Sequence, residues 1–477
     1  MVILLRLVYI LALFIPLQAY ADLRLPALFS DGMVLQQKTH VAFWGWAAPF
    51  EEITFRTDWG LNGETATADS TGRWFTRILT PSAGGPYEIR VCGAEDSTVL
   101  KQVLIGEVWL CSGQSNMEFP LGFLGRWKTG VFDYEKEIDA ASHPNIRMFQ
   151  VKRRASATPE TDVEGKWAYC EPEFAGDFSA VAYYFAKELA AKTTCPIGII
   201  HASYGGTAIE CWMGKNVFYN DTTMYSNFRE HLSDLSRWER NRMGRNPSVK
   251  YPTVLYNGMI APLVPFTIKG IAWYQGESNS DRPKEYRQLF PALIENWRNE
   301  WNAMLPFYYV QIAPHAEKGP LIREAQLLTL KRVSHTGMAV ITDAADSLDI
   351  HPRDKKKPGD RLARLALANV YKIDGVCPSG PIYDTMRIVD EKIELSFKYA
   401  KGLYSKGGAL TEFEICGADR IFVKANATIE RDIITVSSNE VDQPIAVRFA
   451  WKNFPRPNLY NGADLPASPF RTDDWEH

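Results

Sequence analysis

The sequence predicts an α/β fold, a parallel sheet with helices on both faces, accompanied by accessory all-β, sandwich-like modules. Three observations carry this. Between about 105 and 373, apolar strand-length runs alternate with stretches of helical apolar spacing, the pattern of strands joined by crossover helices. On either side, residues 22–104 and 374–477 consist of short alternating runs punctuated by Gly and Pro. Finally, 477 residues exceed what one ordinary core supports, so two or three domains are expected.

In chain order, residues 1–21 read as a signal peptide. Arg6 precedes the apolar run Leu7 to Leu17, which is too short to span a bilayer comfortably, and Ala19-Tyr20-Ala21 forms an A-x-A cleavage pattern. The expectation is an exported protein, periplasmic or extracellular, with no stable membrane insertion after cleavage. The N-terminal β domain, 22–104, holds strand candidates at 41–46, 52–55, 74–79 and 87–91. The following domain, 105–373, offers strands at 107–111, 197–201, 268–274, 307–312 and 339–342. Its helices are predicted at 178–192, 285–301 and 361–371. Residues 215–250 interrupt this alternation as an insertion. Within it, Phe228, Leu232, Leu235 and Trp238 share one face of a charged amphipathic helix over 221–243. A surface helix and a cap near a substrate both fit that pattern. The C-terminal β domain, 374–477, has strand candidates at 392–397, 420–424, 432–436 and 445–451.

Bulk properties narrow the function. A net charge of −3 speaks against a nucleic-acid binder, which normally carries a basic excess. The seven cysteines include no C-x-x-C pair, and the eight histidines form no H-x-x-x-H or H-x-H. No metal and no organic cofactor is predicted. An odd cysteine count leaves at least one thiol free, while export permits one or two disulfides that spacing cannot pair. Aromatic residues reach 12% with 14 Trp, most of them core material, though such faces also stack on sugar rings.

The most informative stretch is Gly106 to Phe119, in which the apolar run Val108 to Leu110 leads into Ser112-Gly113-Gln114-Ser115-Asn116. A strand ending in a tight turn of small residues can expose one hydroxyl at the carboxyl edge of a sheet. The backbone N–H groups of the next turn then face it, which is what a nucleophilic serine and its oxyanion require. Ser115 is the candidate; the plain alternative is a Gly/Ser linker between strand and helix. The Gly205-Gly206 pair, the run Gln275-Gly276-Glu277 and the Asp343 to Asp349 cluster also follow strand candidates. In a parallel sheet all four belong to one edge. The candidate base is His351, after the carboxylate-rich turn and before Pro352, which keeps the backbone extended. His201 is its rival.

Several of these blocks together resemble the sialate O-acetylesterase family, a branch of the SGNH hydrolases. The blocks are Gly-Gln-Ser-Asn-Met at 113–117, Gly205-Gly206-Thr207 with Glu210-Cys211-Trp212-Met213, and Tyr256-Asn257-Gly258-Met259. Trp273 to Asn279, Ile350-His351-Pro352, Leu25 to Gln36 and Leu459 to Arg471 complete the series, in the family's order and over nearly the whole chain. The resemblance implies an SGNH-type, flavodoxin-like sheet and a serine esterase removing O-acetyl groups from carbohydrate, most closely sialic acids. It implies Ser115 as nucleophile and His351 as base. An oxyanion hole would comprise the N–H groups of Ser115 and Gly205 and a side-chain amide, for which Gln275 is favoured over Asn279. Removing one such donor is expected to slow turnover by about 10²–10³-fold.

The acid stays open. SGNH enzymes generally carry Asp three residues before the histidine, where this chain has Leu348. Asp349 lies two residues upstream, on the opposite face of an extended chain; Asp346 could fold back across the turn; Glu277 serves in some related carbohydrate esterases. The expected partner is an O-acetylated sugar or glycan, cleaved through an acetyl-enzyme. Acetylated xylan or another glycan is the alternative substrate. A non-catalytic carbohydrate-binding protein on a hydrolase scaffold is the alternative of another class. A glycoside hydrolase using Glu118 and Glu277 would leave the Ser115 turn without a role.

Overall fold

The computed structural model describes residues 22–60, 62–241 and 247–475; the predicted signal peptide 1–21 and the predicted helix end at Met243 lie outside them. It is a mixed α/β structure in which a large, mostly parallel sheet is accompanied by several smaller β-sheets. The large sheet is built from β1 (Ser97–Gly113), β2 (His143–Gln150), β3 (Trp167–Cys170), β4 (Ile197–Ser203), β5 (Gly270–Tyr274), β6 (Phe307–Val310) and β7 (Thr336–Ala339). Their spatial order is β7-β6-β5-β1-β4-β2-β3, parallel except for the antiparallel edge strand β3.

Helices cover both faces, as the side-chain parity of the strands shows. Trp109 of β1 stacks on Tyr308 and meets Phe185 of helix α1 (Ala180–Thr193), which pairs with a helix at Lys356–Asn369. Trp273 of β5 points the other way, into Trp297 of α2 (Pro283–Trp301) and Phe307. Helix α3 (Pro320–Arg332) packs beside α2 and accepts the Tyr309 hydroxyl at the Gln326 carbonyl. Both faces of β4, β5 and of β1 from Val103 onward are therefore dry, which explains their apolar runs. Ser179 caps α1 by accepting the Ala182 N–H at 3.2 Å.

Three expectations shift. The final strand is 336–339 rather than 339–342, because the Val340 carbonyl accepts from the Arg361 guanidinium and Ile341 opens a turn closed by the Ala344 N–H. The 420–424 run contributes only Val423–Lys424, since Arg420 closes a turn onto the Gly417 carbonyl. The Glu107 to Cys111 strand extends back to Ser97. Its first half pairs with Gly84–Cys92 and Val34–Gln36 in the N-terminal β region, and its second half with β4 and β5. The chain thus passes position 104/105 in mid-strand. All seven cysteines are free thiols.

The insertion folds into a helix at Thr222–Asn241 whose Phe228, Leu232 and Leu235 are buried. The C-terminal region forms two four-stranded antiparallel sheets and a two-stranded ribbon.

Candidate active site

The parallel strands end together: Ser203 and Tyr274 are both in register with Gly113. Gly113 has φ of 143°, and a Cβ there would collide with the Tyr274 carbonyl, so the residue before the turn must be glycine. The chain then turns into a single helical turn, Ser115–Glu118, whose Met117 and Glu118 N–H groups return to the Gln114 carbonyl at 2.9 Å. Ser115 opens that turn, so its own N–H has no intrahelical acceptor. The Gln114 side chain accepts the Gly276 and Ser278 N–H groups, fastening the turn to the loop after β5.

Ser115 Oγ lies 2.9 Å from His351 Nε2. His351 sits on the loop after β7, and the Trp127 ring covers its imidazole at a centroid distance of 4.7 Å. Burial, reinforced by the neighbouring Lys355 ammonium, lowers the His351 pKa to about 4, against the opposing pull of Asp349 and Glu118. The imidazole is therefore neutral near pH 7, with a lone pair available for a serine proton.

Asp349 bends back toward the histidine. Its Oδ1 accepts the His351 N–H at 2.8 Å and lies 3.6 Å from Nδ1. The expectation that alternation would carry it to the opposite face fails because the segment is a turn, not an extended strand. Asp346 does not reach the imidazole; it accepts the N–H groups of Leu348 and Asp349.

Glu277 is not brought to His351. Its Oε1 accepts from Asn116 Nδ2 at 2.5 Å, and Oε2 is buried without a partner. Burial raises its pKa. Asn116 also donates to the Ile350 carbonyl at 3.0 Å, and its Oδ1 receives the Lys355 ammonium. Both Asn116 and Lys355 are fully buried, and burial lowers the Lys355 pKa to about 7. This single carboxamide thus ties the nucleophile turn, the histidine loop, the β5 loop and the start of the 356–369 helix together.

Two expected oxyanion donors are differently engaged. Gln275 is fully buried; its amide donates to Asn279 Oδ1 at 2.7 Å and the Thr207 carbonyl at 3.3 Å, and its carbonyl oxygen accepts from Tyr286. It braces loops instead of facing Ser115, because every polar atom it has is already satisfied behind the strand edge. Asn279 is likewise spent on Ile209 and Glu210. The Gly205 N–H donates to Glu118 Oε2 at 2.6 Å, and Glu118 is in turn ion-paired with Lys128 at 2.8 Å and Arg153 at 3.4 Å. Gly205 does lie against Ser115: a Cβ there would stand 3.2 Å from that of Ser115. His201, the rival base, is buried between Gln150 and Ser203 at 2.7 and 2.5 Å, and has no bond to Ser115.

Sequence reasoning missed Asn116, Lys355 and Trp127 as parts of this site, and weighed Glu118 only as a glycosidase carboxylate. Asn116 follows the nucleophile directly, a signal available in retrospect. Lys355 stands in the run Arg353 to Lys357, where charge pattern alone cannot separate a buried lysine from solvated ones.

Comparison with known proteins adds the following. Residues 105–368 match the family described as carbohydrate esterase, sialic acid-specific acetylesterase. The sialate O-acetylesterase of Mus musculus is 28% identical, the alignment covering 94% of each chain. That of Homo sapiens is 27% identical over 97% of this chain and 96% of its own. A carbohydrate acetylesterase from Xanthomonas citri superposes with a TM-score of 0.85 at 38% identity, covering 95% of this chain and 100% of its own.

Proposed function

Since the chain belongs to the sialic acid-specific acetylesterase family of carbohydrate esterases and is thus an ester hydrolase, we propose that it removes O-acetyl groups from sialic acids by serine catalysis. The observation that carries the serine mechanism is the 2.9 Å contact between Ser115 Oγ and a neutral His351 Nε2. Ser115 Oγ attacks the acetyl carbonyl while His351 takes its proton, and the Ser115 N–H donates to the oxyanion. Collapse breaks the acyl–oxygen bond of the sugar ester, and His351 returns the proton to the departing hydroxyl. Water, deprotonated by His351, then releases acetate from the acetyl-serine. Asp349 is the acid that orients the imidazole, and the strand order with the nucleophile at the end of β1 supports an SGNH-type reading of the sheet. Residues 1–21 are proposed to direct export.

The test of substrate class is acetate release by the mature protein from O-acetylated sialic acid beside acetylated xylan. Faster turnover of the sialic acid ester supports the proposal; turnover of xylan alone would replace its substrate.

Asp349→Asn is expected to lower kcat by about 10²-fold or more, less than the 10⁴ of a fully buried triad acid because Asp349 is half exposed. Glu277→Gln should cost less than Asp349→Asn. The reverse order in steady-state kinetics would make Glu277 the acid. The low His351 pKa also sets the acid limb of the profile: the base works while deprotonated, so kcat/KM should hold down to about pH 5 and fall below it. A half-maximal point near about 6.5 in the pH profile, the ordinary histidine value, would contradict this.

A further inference from the structure

The insertion helix at 222–241 packs on the short helix Lys215–Asn220, with Phe228 against Phe218, and is docked through Phe228, Leu232 and Leu235. Between it and the catalytic edge lies a cleft of 510 Å³, within the range of about 300–1,000 Å³ typical of ligand sites. One wall is the helix, with Asn227 and His231 exposed on it; the other is formed by Gly206 and Ser278. Those two residues directly follow Gly205, which lies against Ser115, and Glu277, which bonds to Asn116. The cleft and the nucleophile therefore share the loops after β4 and β5.

Its floor is rigid and electrically balanced. Arg282 bridges Glu210 at 2.5 Å and Glu285 at 2.7 Å, and Glu210 is held again by Asn279. With Lys250, the lining has two cations and two anions, so no net field selects a charged ligand. Apolar surface from Phe228, Val249 and Pro252 lies among these polar groups. Apolar patches edged by hydrogen-bonding groups suit a neutral pyranose, with its C–H faces and hydroxyl rim.

We infer that this cleft is a second sugar subsite, which takes the uncharged sugar residue to which the acetylated sugar is linked, making the enzyme one that acts on glycans in preference to free monosaccharides. The subsite presupposes the carbohydrate esterase function proposed above. It gives the insertion a role: a wall that extends recognition beyond the ester.

The test compares kcat/KM on three substrates: an O-acetylated sialyl-oligosaccharide, the same O-acetylated sialic acid free, and p-nitrophenyl acetate. Wild type is expected to prefer the oligosaccharide to the monosaccharide by about tenfold, equivalent to about 1.4 kcal/mol. Asn227→Ala with His231→Ala should abolish that ratio through KM. The deacetylated oligosaccharide should also compete with p-nitrophenyl acetate in the wild type more strongly than free sialic acid does. Equal kcat/KM on the two sugars, or a ratio untouched by the double variant, overturns the subsite and leaves the esterase function standing. Turnover of p-nitrophenyl acetate with neither sugar ester cleaved would defeat the sialic acid reading, and the subsite with it.

Discussion

Ser115→Ala is expected to lower kcat by about 10⁴–10⁶-fold, with the fold intact. The magnitude follows from the geometry. In the proposed mechanism the hydroxyl forms the acetyl bond, and among the described residues no other side chain shares its contact with His351 Nε2. Alanine removes one oxygen from a residue at the start of a helical turn whose Met117 and Glu118 bonds go to Gln114, so the turn should persist. Acetate release and near-ultraviolet dichroism measured side by side check both halves. A variant retaining more than about one-hundredth of the wild-type rate would rule out Ser115 as the nucleophile.

Asn116→Ala should combine a large loss of activity with a large loss of stability. It removes the link from the nucleophile turn to the Ile350 carbonyl, one residue before the base, so the Ser115–His351 contact loses its register. A misplacement of about 1 Å costs on the order of 10²-fold in rate. It also leaves Lys355 buried without its acceptor and Glu277 without its donor. Leaving a buried ionisable group without its hydrogen-bond partner costs about 1–3 kcal/mol or more. Calorimetry should show a lowered unfolding transition. Adding Lys355→Met should recover part of that loss, because it removes the buried ammonium that the amide had accepted and leaves only Glu277 unmatched. Strictly additive destabilisation would mean that the amide and the ammonium do not act as a unit.

The parts of the molecule visible in the sequence were those written in local periodicity or in turn chemistry. Helix α2 was predicted within two residues because its apolar positions repeat at helical spacing; in the structure Asn302 ends it in the left-handed conformation. Ser115 stood out because a tight small-residue turn after an apolar strand can expose a hydroxyl, and the resemblance of its block to the family set it above a plain Gly/Ser linker. What stayed hidden depends on long-range contacts. Gln275 and Asn116 are both amides beside functional residues, and nothing local shows that one turns inward to brace loops while the other links four segments. The Asp349 bend was misjudged because the period-two rule was applied to a turn. The burial of Lys355 depends on the aromatic rings of Phe119 and Tyr274, distant in sequence, that close around its ammonium.

The strand from Ser97 to Gly113 pairs with the N-terminal β region and with β4 and β5 at once, and its last residue stands two positions before Ser115. The N-terminal region is consequently no detachable module. A fusion or truncation at 104/105 would sever a hydrogen-bonded strand, whereas a joint in an ordinary linker would merely untie a tether. Evolution and engineering alike must carry the two halves together, so shuffling this catalytic unit into new proteins requires moving its β companion with it.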